Sequence, residues 1–93
     1  MNYTRYDLGQ QRAGTIVTVG LEGTEANVIL LDAANLARYD SGLEAHYGDG
    51  GHFSRSPARL RVPHDGTWHV VVDLGGYTGN VRSWIAGVYA AAA

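Results

Sequence analysis

Thr67–Leu74 (TWHVVVDL) sorts Trp68, Val70, Val72 and Leu74 to one side of an extended chain and His69, Val71 and Asp73 to the other. Its run of Val residues is β-branched, stiff at χ1 and suited to a pleated surface, so the stretch is read as a strand. Turn-forming residues bound it on both sides, Pro63-His64-Asp65-Gly66 before it and Gly75-Gly76-Tyr77-Thr78-Gly79 after it. Trp68 has the largest side chain on the apolar side and is the expected centre of packing.

Working outward, Ala58–Val62 (ARLRV) alternates in the same way, with Ala58, Leu60 and Val62 inward and Arg59 and Arg61 outward. Asn80–Tyr89 is the expected closing strand, with Arg82, Trp84, Ala86 and Val88 on one face and Val81, Ser83, Ile85 and Gly87 on the other. Thr15–Leu21 (TIVTVGL) and Ala26–Leu31 (ANVILL) are two further strands. The short link between them predicts an antiparallel hairpin. Asp32–Gly42 reads as a connector of one or two helical turns, capped by Asp32, stopped by Gly42, with Leu36 and Tyr39 on one side. Leu43–Ser56 holds the longest loop, and short strands at Glu44–Tyr47 and His52–Ser54 would flank its Gly48, Gly50 and Gly51 as a second hairpin.

Short strands at this spacing, with no long amphipathic helix, predict an all-β fold: a small antiparallel β-sandwich or jelly-roll-like barrel with one short helical connector. The 93 residues make a single domain (1–93), with the core at about 14–89, segment 1–13 as an extra strand and 90–93 as a tail.

Composition narrows the functional classes. No Cys is present, which removes disulfides, thiolate zinc sites and cysteine nucleophiles. Net charge is −2, giving no general attraction to nucleic acid or an anionic membrane. All 7 basic residues are Arg, so any cationic site is built of planar guanidinium forks suited to carboxylate or phosphate. Met1–Gly14 has no apolar leader-like stretch and no window approaches the ~18 apolar residues of a membrane helix, so a cytoplasmic location is expected.

The segments Ala26–Asp32 (ANVILLD), Asn35-Leu36 with Tyr39 and Gly42, Ser56–Leu60 (SPARL), then Pro63, Gly66, Trp68 and Val70–Gly76 (VVVDLGG), resemble the bacterial family known as domain of unknown function 1883. The resemblance runs from Thr15 to Val88, and its most specific part is the stretch from Pro63 to Gly76. It implies an all-β fold. Some members sit beside a TIR signalling domain, which implies a sensing or docking role; the family offers no catalytic residues to carry over. More distantly, the same order of motifs is similar to jelly-roll accessory modules that trail secreted peptidases, which also bind rather than catalyse.

The residues themselves give little chemistry. His46, His52, His64 and His69 contain no pair at the spacing that starts a zinc site on a strand or helix. His69 and Asp73 share a strand face but stand about 13 Å apart at ~3.3 Å per residue. Ser54 and Ser56 lie near His52 without a nucleophile elbow, and Asp65 and Asp73 read as turn and strand-end residues. The Gly75–Gly79 loop lacks the following helix that a phosphate loop needs. No enzyme, metal or cofactor is therefore expected.

The most informative group is cationic. Gly50–Val62 holds Arg55, Arg59 and Arg61 and no acid. Were the closing strand beside Ala58–Val62, Arg82 would join them, with His52 or His69 as a titratable donor. These six residues are the predicted site for a small anionic or polar ligand, against the alternative of a solvated outer face. A second function class uses Trp84: buried, it belongs to the core; exposed on an edge strand, it would dock a protein partner or a second copy in a homo-oligomer.

Overall fold

The structure is a computed structural model that describes residues 3–75 and 79–90. Its elements are β1 (Tyr3–Gln11), β2 (Ile16–Gly23), β3 (Ala26–Asp32), α1 (Ala33–Asp40), β4 (Asp49–Phe53), β5 (Ala58–Arg61), β6 (Gly66–Asp73) and β7 (Val81–Tyr89). The strands form two antiparallel sheets, ordered β1-β6-β3-β4 and β5-β2-β7. They make a β-sandwich.

The main core fills the space between the sheets. Val28, Leu30, Trp68, Val70 and Val72 come from one layer and Val17, Val19, Ala58 and Leu60 from the other, with Ala26 and Val62 completing a buried cluster. Trp68 is the largest fully buried side chain, and its Nε1–H donates to the His64 carbonyl at 3.0 Å. Leu74 is only partly buried against this cluster.

The second face of β6 is not the wet one. Val71, Ile29, Leu31 and Leu36 form a smaller core on the outer side of the four-stranded sheet, against which Tyr3, Tyr39 and Ala45 pack. The continuous apolar runs of β3 and β6 reflect this covering on both faces. The helix that provides it is capped at both ends. Asp32 accepts from the Asn35 N–H at 2.9 Å at the start. At the end Leu43 N–H returns to the Arg38 carbonyl and Gly42 N–H to that of Tyr39, with Gly42 at φ +73°.

Two expected pairings are corrected, and the placement of the closing strand, left conditional by the sequence, is settled. β2 and β3 are not a hairpin: they lie in different sheets, and each is the interior neighbour of two other strands. Both present apolar faces to the core, so the chain crosses between layers at Thr24-Glu25 and brings those faces opposite one another. Glu44–Tyr47 is not a strand, and β4 pairs with β3 instead of forming a second hairpin. β7 lies beside β2, not beside β5, so β2 separates it from the arginine strand. Of the Gly75–Gly79 loop, residues 76–78 fall outside the described residues, as do 91–93 of the expected tail; Gly75 does adopt a positive φ of +61° and donates its N–H to Asp73 at 2.7 Å.

Candidate functional site

The alternation of β5 buries Ala58 and Leu60 and turns Arg59 and Arg61 outward. Across the sheet Arg59 stands opposite Thr18 and Arg61 opposite Ile16. On the far side of β2, Thr18 faces Gly87 and Ile16 faces Tyr89. Directly opposed residues share a face, so Arg59–Thr18–Gly87 and Arg61–Ile16–Tyr89 are two rows on the outer surface of the three-stranded sheet.

A bulge decides the composition of that surface. The register between β2 and β7 shifts between Thr18 and Val19, leaving Ala86 without a partner. Strict alternation groups Val88 with Trp84 and Gly87 with Ile85. The extra residue reverses this beyond Ile85, so Gly87 and Tyr89 join Trp84 outside while Val88 stands opposite the buried Val17. Tyr89 thus becomes part of the site, where Arg59 donates from Nη2 to its hydroxyl at 3.1 Å.

Trp84 completes the surface. It stands opposite Gly20, and a Cβ built on Gly20 would lie 2.1 Å from its Cε2 and 2.4 Å from both Cζ2 and Nε1. Near-equal approach to three ring atoms means that the indole presents a face to the glycine. Gly20 is buried beneath it while Trp84 remains 46% exposed, so the other ring face is open. The question that the sequence left between a buried and an exposed Trp84 is answered: it is exposed, on an edge strand.

The six expected site residues are not brought together as one patch. Arg59 and Arg61 are neighbours on one face, and among the described residues neither guanidinium is ion-paired with a carboxylate, although the Arg61 backbone N–H donates to Asp49 Oδ2 at 2.8 Å. Arg82 is on the same sheet but opposite Glu22, four positions along β2 from Thr18, or about 13 Å at the strand rise. Its Nη1 is 3.5 Å from Glu22 Oε1. Arg55 lies in the turn between β4 and β5. His52 on β4 and His69 on β6 belong to the other sheet. His69 is largely buried; its Nδ1 lacks a hydrogen-bond partner and stands 3.8 Å from Asp7 Oδ1. The physical reason is the strand order, which inserts β2 between the arginines and β7 and puts the histidines in the opposite layer.

A second polar group went unnoticed in the sequence. Tyr3, Asp73, Asn27 and His52 form one cross-strand row over all four strands of the larger sheet. Asp73 Oδ1 accepts from Gly75 N–H at 2.7 Å and Asn27 Nδ2 at 3.1 Å, and Oδ2 accepts the hydroxyl of Tyr39 from α1. Asn27 Oδ1 is 3.3 Å from His52 Nδ1, and His52 Nε2 is 3.3 Å from Glu25 Oε2. Burial, then the hydrogen bond to Asp73 and its charge, then the charge of Tyr47, push the Tyr39 phenol well above its usual range. Both oxygens of Asp73 are engaged within the fold, so the row ties α1 to the sheet. Among the described residues no group of three His, Asp or Glu side chains is arranged to hold a metal ion.

The fold and this outer surface define a small two-sheet β-sandwich with one helix-covered face and one open face. A family profile described as a domain of unknown function (DUF1883) matches residues 1–90, and the chain belongs to that family. No curated protein and no solved structure matched the chain significantly.

Proposed function

We propose that this domain is a non-enzymatic binding module of a bacterial cytoplasm, and that it takes a small anionic or polar ligand on the open face of the three-stranded sheet. The observation that carries the reading is the pair Arg59 and Arg61, outward on one strand, their guanidinium groups without an ion-paired carboxylate among the described residues, with Arg59 held by Tyr89. Guanidinium groups without a counter-charge offer planar, bidentate donors to carboxylate or phosphate. The residues proposed to bind are Arg59, Arg61, Tyr89 and Trp84, with Thr18 between them. A sensing or docking role beside a signalling domain is consistent with a module that binds without reacting.

The test is a thermal-shift screen of small carboxylates and phosphates at low salt. Ligands that bind the native state raise the melting point in proportion to ln(1 + [L]/Kd). Arg59→Ala with Arg61→Ala should abolish the shift while changing intrinsic stability by no more than about 0.5 kcal/mol per site, as for exposed positions elsewhere. A screen in which no anion moves the melting point would remove the reading.

A second reading, docking of a protein or a second copy along β7, is favoured by one observation: this nine-residue edge strand leaves Trp84, Val88 and Tyr89 exposed. The edge is partly closed, because Tyr6 donates its hydroxyl to the Ser83 carbonyl at 2.7 Å and the Ala86 bulge interrupts the ladder. Sedimentation at rising concentration tests self-association directly.

A further inference from the structure

We infer that the anion bound by this face is carried on a sugar ring, stacked on Trp84 with its phosphate or carboxylate directed to Arg59 and Arg61. This inference rests on the binding reading above and assigns the ligand class to it.

The geometry supplies a platform and a charged end with two hydroxyls. The indole rests one face on Gly20 and leaves the other open, so it is a platform lying against the sheet. Its exposed π face is electronegative and attracts the electropositive C–H bonds of a saturated ring. Gly20 and Thr18 are two residues apart on β2, which sets the indole row about 7 Å from the Arg59 row along the strands, and the indole reaches over β2 from β7 while Arg59 reaches toward β7 from β5. The Arg59 end carries two hydroxyls, Thr18 in that row and Tyr89 reaching Arg59 from the row beyond it. Thr18 Oγ1 spends its proton on the Gly87 carbonyl at 3.4 Å and keeps lone pairs to accept. Tyr89 accepts from Arg59 and keeps its proton to donate. A ring that bears hydroxyl groups satisfies both.

Beside the indole the floor is low at Gly87, which carries no side chain and where an added Cβ would stand 3.1 Å from Thr18 Oγ1 and 3.5 Å from the Tyr89 ring. The charge is unbalanced at one end only: Arg82 near the other end is already paired with Glu22. An anion is therefore drawn to the Arg59 and Arg61 end, and the ring attached to it falls toward Trp84.

The experiment titrates the whole chain calorimetrically at low salt with inorganic phosphate, galactose phosphate, glucuronate and adenosine monophosphate. Galactose phosphate is expected to bind at least about tenfold more tightly than inorganic phosphate, and Trp84→Leu, which still covers Gly20, is expected to erase that difference. Equal affinity for the sugar phosphate and inorganic phosphate overturns the sugar assignment and leaves the anion face standing. Adenosine monophosphate binding tightest overturns it in favour of a planar base, and no binding by any of the four overturns the binding reading as well. Should Trp84→Leu fail to fold, the indole N–H resonances of the unaltered chain decide: galactose phosphate should move that of Trp84 and leave that of buried Trp68 in place, and a Trp84 signal that stays still overturns the proposal.

Discussion

Gly20 is buried beneath the indole of Trp84 on the neighbouring strand, and a single added carbon at this glycine would lie 2.1 Å from the ring. The backbone of β2 is ordinary here, so the requirement for glycine comes from the ring above it. Gly20→Ala should therefore displace Trp84 and cost about 1–3 kcal/mol, the range for forcing an extra carbon into an occupied space. The displaced indole should be more accessible to acrylamide, with emission shifted to the red. An unchanged melting point with unchanged quenching would mean that the ring does not rest on the glycine.

Asp73 and Tyr39 join the last residue of β6 to the helix over it. The phenol is pushed above its usual range by burial first and by Asp73 second. A folded-state pKa above the unfolded value means that the folded chain binds the proton more tightly. The stabilisation is thus fully present below the unfolded pKa of about 10 and is lost as pH rises from there toward the folded value. Titration of tyrosinate absorbance should show one tyrosine that ionises only as the chain unfolds. Tyr39→Phe should remove that step and flatten the alkaline limb of the stability profile. A late-ionising tyrosine that persists in this variant would assign the effect to another residue.

These two pairs also show where the sequence was informative. The strand at Trp68 and the alternation at Arg59 and Arg61 were legible because each is a local pattern of period two, and the helix was legible from Asp32, Leu36 and Gly42. Which strands lie side by side depends on the crossing at Thr24-Glu25, and nothing local distinguishes such a crossing from a hairpin turn. The face of Tyr89 depends on a one-residue bulge at Ala86, which reverses alternation without any special residue to announce it. Asp73, Asn27 and His52 form a row only after three strands are aligned, and they are 46 and 25 positions apart in the chain. The Arg59 and Trp84 face was therefore half visible: its charged side follows from one strand, its aromatic side from the register between two.

Asp49 closes an edge that would otherwise be open. Its Oδ2 accepts from the backbone N–H of Arg61 on β5 at 2.8 Å while Oδ1 accepts from Gly50 N–H at 2.8 Å, linking the first residue of β4 to the edge of the opposite sheet. A short strand and a blocked donor are two of the ways in which sheets avoid pairing with other chains. Asp49→Ala should lower stability by about 1 kcal/mol, the ordinary net value of such a bond at an exposed position, and should raise the tendency to associate. Asp49→Asn, which keeps an oxygen acceptor, should lose less. Chemical denaturation and light scattering on the two variants check the order; equal stability of Asp49→Ala and the unaltered chain would count against the link.

Trp68 sits where three segments meet. Its indole donates to the His64 carbonyl at 3.0 Å, the His64 ring lies 5.0 Å from it, and a Cβ on Gly48 would stand 2.6 Å from Cζ3 and 2.7 Å from Cη2. The loop after α1 and the turn before β6 are thus moulded on one buried ring. Trp68→Ala should cost about 3–5 kcal/mol, as for large aromatic side chains removed from a core. For a domain of this size that is a large part of a total stability of roughly 5–15 kcal/mol. Trp68→Phe keeps the apolar bulk and loses the donor and part of the ring, so it should cost about 2 kcal/mol, a melting-point loss of roughly 8–16 °C. Gly48→Ala pushes the same ring from the other side and should be destabilising without removing any contact. Because Gly48 and Trp68 touch, the double variant Gly48→Ala with Trp68→Phe should cost less than the sum of the single variants: the smaller ring leaves room for the added methyl. Additive losses would place the methyl and the ring apart.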